Sequence, residues 1–209
     1  MDGPHLIYFA DPMCSWCYGF STVIEEIRRS FGAALPIRLV MGGLRPGTET
    51  PMSQAAKAEL KGHWEHVREA SGLPFDSAAL DADGFLYDTD PAARAVVLVR
   101  HADPEVALDY LLRLQRAFYA EGRDITRAEV LADLAEEHGV ARDAFLADFE
   151  TARLKQETWR DYAVSQRAGV QGFPTLVAGP AANGTYGAVA RGYQSAEVVL
   201  PLLRSWLAA

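Results

Sequence analysis

The sequence predicts an α/β layer structure of four strands, interrupted by an all-helical insertion. Three observations predict it. Two short apolar runs near the N-terminus flank a segment of helical periodicity. From Gly47 to Gly169 the periodic segments have helical spacing only. Strand signals then return, and a last amphipathic segment closes the chain.

Leu6–Ala10 is the first strand, an apolar run of buried type. Phe20, Val23, Ile24, Ile27 and Phe31 recur at helical spacing, which places a helix over Ser15–Phe31 with Gly32 as its stop. Pro36–Met41 is the second strand, at a distance that suits a right-handed β-α-β crossover. The turn residues Gly42-Gly43-Leu44-Arg45-Pro46-Gly47 end the pattern. Thr50-Pro51, Asp90-Pro91 and Asp103-Pro104 are helix starts, with Pro at the first helical position. Gly72, Gly122 and Gly139 are stops, and Thr126-Arg127-Ala128-Glu129 reads as a capping box. Two more helices follow, near Arg142–Phe149 and Thr151–Ala168. Pro174–Ala178 and Tyr186–Arg191 are strands joined through Asn183-Gly184, and Ser195 can cap the final helix. Residues 1–44 and 155–209 are each too small to bury a core alone, so together they form one discontinuous domain. Residues 45–154 are the helical insertion.

The chemistry is concentrated at Ala10–Phe20, where Cys14 and Cys17, the only cysteines, stand between strand and helix. A Cys-x-x-Cys pair in that context is a redox motif. The first N–H groups of a helix lack intrahelical partners. They favour an anionic sulfur at Cys14, and the macrodipole adds to this. A thiolate is the attacking species in disulfide exchange. Cys17, one turn on, can then resolve a mixed disulfide held on Cys14. Two plainer readings stand beside this one. The pair could pack inertly, or it could be half of a zinc site, for which His63 and His66 are the candidate further ligands. The expectation is a site without metal or cofactor.

The chain has 209 residues, 49% of them hydrophobic and 23% charged, which suits an ordinary globular protein. Its net charge of −8 argues against a nucleic-acid partner. No apolar run is long enough for a membrane span, and Met1-Asp2-Gly3-Pro4-His5 does not resemble a signal peptide. The expected location is therefore the cytoplasm, where a cysteine pair is more often catalytic than structural.

The element order, with Asp11-Pro12-Met13-Cys14-Ser15-Trp16-Cys17 after the first strand, resembles a thioredoxin fold with an inserted helical domain. The chain is similar to the DsbA family of thiol–disulfide oxidoreductases. The segments Phe118-Tyr119-Ala120-Glu121-Gly122-Arg123-Asp124-Ile125 and Gly169-Val170-Gln171-Gly172-Phe173-Pro174-Thr175 resemble its FrnE-like branch. That branch also holds 2-hydroxychromene-2-carboxylate isomerases and kappa-class glutathione transferases. The closest likeness is to the predicted protein-disulfide isomerases of bacterial cytoplasm.

The resemblance implies that Cys14 is the nucleophile, Cys17 the resolving cysteine and Pro174 a cis-proline beside them. Independently, Gly-x-Pro before a strand suits a cis turn, although a trans proline at a strand start is an alternative. A cis turn would leave the Phe173 backbone free to pair with an extended substrate. Two departures bear on specificity. Ser15-Trp16 replaces the Pro-His of the best-known oxidants, so redox direction does not carry over. Phe173 is bulkier than the usual Val or Thr before the proline.

Trp16 and Phe173 are the candidate substrate-binding residues, with packing the alternative for Trp16. Asp11 either accepts a proton from a cysteine or shapes the loop. Gly42-Gly43-Leu44 can border the site. His5, His101 and His138 are surface or core residues, and Arg94 is a solvated or ion-paired side chain. The expected partner is a protein or small-molecule disulfide or dithiol, with glutathione one candidate. Two other functions remain open: an isomerase or glutathione-dependent transferase on the same fold, and a non-catalytic binding module.

Overall fold

The structure, a computed structural model, describes residues 3–181 and 183–208. Strand β1 (His5–Ala10) leads to helices α1 (Ser15–Gly19) and α2 (Ser21–Phe31), a single 3₁₀ turn and β2 (Ile37–Met41). Helices α3 (Gln54–Ser71), α4 (Ala78–Asp81), α5 (Asp90–Ala102), α6 (Ala107–Tyr119), α7 (Ala128–Glu136), α8 (Arg142–Phe149) and α9 (Ala152–Arg167) follow. Then come β3 (Thr175–Gly179), β4 (Gly187–Arg191) and α10 (Ala196–Leu207). The four strands form one sheet in the order β2-β1-β3-β4. β1 and β2 are parallel, as the crossover requires, and β3 runs antiparallel to both β1 and β4. This is the thioredoxin-like sheet with a helical insert that the element order predicts.

Strand alternation sets the core. Leu6, Tyr8 and Ala10 are fully buried and pair with Ala178, Leu176 and Met41, which are buried too. Ile7 and Phe9 pair with Val177 and Thr175 on the opposite face. The apolar core is one cluster that runs from the sheet into the helices, joining Tyr8 and Leu176 to Leu114, Phe118 and Leu134. Among the described residues no helix is long and apolar enough to cross a membrane.

Several boundaries differ from the sequence reading, each for a local reason. The expected single helix Ser15–Phe31 breaks at Gly19–Phe20. There α1 lies so close to α3 that a Cβ on Gly19 would stand 2.9 Å from Val67 Cγ1. The helix expected from Thr50-Pro51 begins at Gln54, because Ser53 Oγ accepts the Ala56 N–H at 3.2 Å and is the better cap. The helix expected at Asp103-Pro104 begins at Ala107, after Asp103 Oδ1 has accepted the Glu105 N–H. Thr126 does not cap α7. Its hydroxyl donates to Asp124 at 2.6 Å, and Arg127 takes the cap position.

β3 starts after Pro174 and β4 after Tyr186, whose ring folds over Gly179. Ser195 stands at the cap position of α10 without a side-chain cap bond. Arg94 is ion-paired rather than solvated: it is buried, bonds Glu150 at 3.1 Å and lies 4.4 Å from the Phe149 ring centroid.

Candidate functional site

The site is built by the turn that connects β1 to α1. Asp11 and Pro12 hold the positions such turns favour, and Cys14 N–H closes the turn on Asp11 O at 3.1 Å. The Asp11 carboxyl is fully buried, and its two oxygens accept different backbone N–H groups. Oδ1 takes Met13 N–H and Oδ2 takes Leu44 N–H, each at 2.9 Å. Asp11 therefore shapes the loop and ties the Gly42-Gly43-Leu44 segment to it. Burial pushes its carboxyl up to about 6, against the lowering effect of those N–H donors.

Cys14 stands at the N-cap of α1 in extended conformation, and Cys17 lies one turn inside; both are free thiols. Cys14 is 6% exposed and Cys17 is fully buried. Burial, reinforced by the neighbouring Cys14, pushes the Cys17 thiol well up. The Cys14 thiol meets the Phe173 carbonyl oxygen at 3.5 Å. The Phe173–Pro174 peptide is cis, and so is Gly179–Pro180. Thus 159 residues of chain separate two groups that the fold places in contact.

Trp16 is half-buried, with its ring edge-on to His63 at 5.8 Å and tilted against Tyr193 at 5.6 Å. His63, one of the two candidate zinc ligands, is therefore an aromatic neighbour of Trp16. Among the described residues no group of three or more His, Cys, Asp or Glu is placed to hold a metal ion. His5 contacts Gly3 O and Tyr186, His101 pairs with Glu157, and His138 packs on Tyr110.

The Phe173 ring lies flat over Gly42, where a Cβ would stand 2.1 Å from its Cζ. Gly42→Ala should therefore displace the ring and, with it, the carbonyl that faces Cys14. The expected cost is about 1–3 kcal/mol, typical of overpacking. Urea midpoints check it against Gly62→Ala on α3, where a Cβ meets open space and no loss is expected. Phe173 also walls a groove of about 800 Å³ on the outer sheet face, with Ile7, Phe9, Val177, Gln171 and Arg191 around it.

Three groups in the site carry no signal in the sequence. Tyr8, three residues before Asp11 on the core face of β1, is fully buried, and burial first and the neighbouring Cys17 second push its hydroxyl well up. Tyr87 and Tyr119 both donate to the Met13 carbonyl, at 2.5 and 2.6 Å. Their partner lies 74 and 106 residues away in the chain, so no local pattern could reveal it.

A family model described as a DSBA-like thioredoxin domain matches residues 5–199. A provisionally assigned protein disulfide isomerase from Nitrosomonas europaea superposes with a TM-score of 0.89 at 36% identity, over 99% of this chain and 98% of that one. The cytosolic disulfide reductase DsbM from Pseudomonas aeruginosa superposes with a TM-score of 0.78 at 26% identity, over 98% and 100% of the two chains. Its structure with GSH gives a TM-score of 0.77 at 25% identity over the same shares. The ClpXP adapter protein SpxH of Shouchella clausii is 22% identical over 169 residues, 81% of this chain and 55% of its own length. The chain thus spans little more than half of the curated relatives it matches.

Proposed function

This chain belongs to the DSBA-like thioredoxin domain family, and we propose on that footing that it is a thiol–disulfide oxidoreductase working through Cys14 and Cys17. The Cys14 thiolate attacks a substrate disulfide; a Cys14–substrate bond forms, the substrate S–S bond breaks, and one substrate thiol leaves with a proton from water. Cys17 then gives up its proton and attacks Cys14 Sγ. An internal disulfide forms, the second substrate thiol is released, and two electrons have passed to the substrate. Because burial holds the Cys17 proton tightly, this second step needs an acceptor. Asp11 is the candidate: its carboxyl is buried in the turn that carries the pair, and its negative charge adds to the burial that holds the Cys17 proton. Moving the proton from Cys17 to Asp11 avoids two buried negative charges.

The observation that carries this reading is the contact of the Cys14 thiol with the Phe173 carbonyl, across 159 residues of chain. An extended substrate would pair with the Phe173 backbone beside Cys14, with Phe173 and Trp16 on its flanks. The reductase name and the GSH complex of the Pseudomonas aeruginosa relative support glutathione as the electron source and a poise on the reducing side. In this reading the protein acts in the cytoplasm, and the division into residues 1–44 with 155–209 and an insertion of 45–154 is likewise a proposal.

The test is the equilibrium of the Cys14–Cys17 pair in glutathione buffers, together with alkylation at mildly acidic pH. A reversible disulfide and fast labelling of one cysteine are expected. The relatives named as ClpXP adapters favour a second reading, a protein-binding adapter. Slow labelling of both cysteines and no measurable redox equilibrium would favour the adapter.

A further inference from the structure

The Met13 carbonyl belongs to the peptide that ends in Cys14 N–H. It is buried, and it receives two hydroxyl donors from different parts of the helical segment: Tyr87, just before α5, and Tyr119, the last residue of α6. The two hydroxyl oxygens are 3.3 Å apart. Neither ring is free to move. Tyr119 stacks on Tyr18 at 5.1 Å and meets Trp64, Phe75 and Phe118 edge-on. Tyr87 is held by Phe85 and Phe118. One donor is enough to satisfy a buried carbonyl. Two short ones, brought from separate elements onto the peptide of the less deeply buried cysteine, point to a role beyond folding.

We propose that Tyr87 and Tyr119 are positioning residues of the redox pair: their hydroxyls hold and polarise the Met13–Cys14 peptide and make the reduced pair more stable. The proposal rests on the thiol–disulfide reading of the site. Hydrogen bonds in series polarise one another in a low-dielectric interior. Here the series runs from the tyrosine hydroxyls through the Met13 carbonyl and Cys14 N–H to the Asp11 carbonyl. The hydroxyl hydrogens offset the negative end of this peptide beside the sulfur. That matters when Cys14 is a thiolate and much less when it is in a neutral disulfide. Stabilising the thiolate stabilises the reduced form and makes the disulfide more oxidising. Burial pushes both tyrosines well up, and negative charge on Cys14 pushes them further, so both remain protonated donors.

The experiment compares Tyr87→Phe, Tyr119→Phe and the double variant with the wild type. The readouts are the equilibrium constant for reduction by glutathione, the alkylation rate of Cys14 at mildly acidic pH, and urea stability. Each single variant is expected to lower the equilibrium constant about 3-fold and the double variant about 10-fold, the scale of one modest hydrogen bond each. Alkylation should slow in the same order. Tyr110→Phe is the control, because its hydroxyl donates to Leu131 O at 2.8 Å rather than to the cysteine turn. It should lose stability and leave the redox equilibrium unchanged.

A loss of packing or of a bond remote from the cysteine turn, as in Tyr110→Phe, weighs on both redox forms alike and leaves that equilibrium where it was. A double variant within about 1.5-fold of the wild-type constant, far below the effect of one hydrogen bond, overturns the proposal whatever its stability. If the double variant does not fold, the single variants decide by the same criterion. A wild type with no measurable redox equilibrium defeats the thiol–disulfide reading itself, which separates that failure from this one.

Discussion

Cys14→Ser is expected to abolish disulfide reduction, and Cys17→Ser to keep the first attack and accumulate a mixed disulfide on Cys14. The asymmetry follows from where the two sulfurs sit. Cys14 is 6% exposed at the helix start and touches the Phe173 carbonyl, whereas Cys17 has no exposed surface. A substrate disulfide can therefore reach only Cys14. Burial also holds Cys17 in its thiol form, which suits a group that acts second, after a substrate sulfur has been captured next to it. Turnover of Cys14→Ser should fall at least roughly 1,000-fold, because an alcohol without a dedicated base is a poor nucleophile. Insulin reduction measures the loss, and intact-mass analysis of Cys17→Ser with a disulfide substrate detects the adduct. An adduct on the Cys14 variant and none on the Cys17 variant would reverse the two roles.

The features legible in the sequence are those set by neighbours in the chain. The apolar run Leu6–Phe9, the Cys-x-x-Cys spacing and the glycine stops are local signals. The structure follows them, with Gly72, Gly122 and Gly139 all at positive φ. Even local signals compete: Pro51 suits a first helical position, yet Ser53 makes the cap bond. Trp16 shows the next limit. Its place between the cysteines leaves exposure and packing both open, and the fold combines them: the side chain is half-buried against His63 and Tyr193. The contacts that tune the site lie beyond any sequence window. Gly42 is a turn residue in the sequence, and only the fold shows that its missing Cβ makes room for Phe173. Tyr87 and Tyr119 read as ordinary core aromatics until both hydroxyls are seen on Met13 O.

Asp11 is both kinds of residue, a turn former in the sequence and a buried acid in the fold, and its titration should govern stability between about pH 4 and 6. Desolvation raises its carboxyl from the ordinary aspartate range, about 4, to about 6, so the native state binds this proton more tightly than the unfolded chain does. The stability contributed by the protonated group is complete below about pH 4 and is lost as pH rises through 6. At about 1.4 kcal/mol per pH unit of difference, the loss is about 3 kcal/mol. Asp11→Asn is neutral at every pH and lacks this slope. The stability of the wild type relative to Asp11→Asn, from urea unfolding of the reduced proteins, should therefore decline by about that amount between pH 4 and 8. Parallel profiles would mean that the carboxyl titrates alike in both states and is not the strained acid described here. The decline has a chemical counterpart. A carboxylate that gains stability by taking up a proton inside the fold is suited to receive one from Cys17, and the same variant should slow release of the second substrate thiol while leaving the first attack by Cys14 intact.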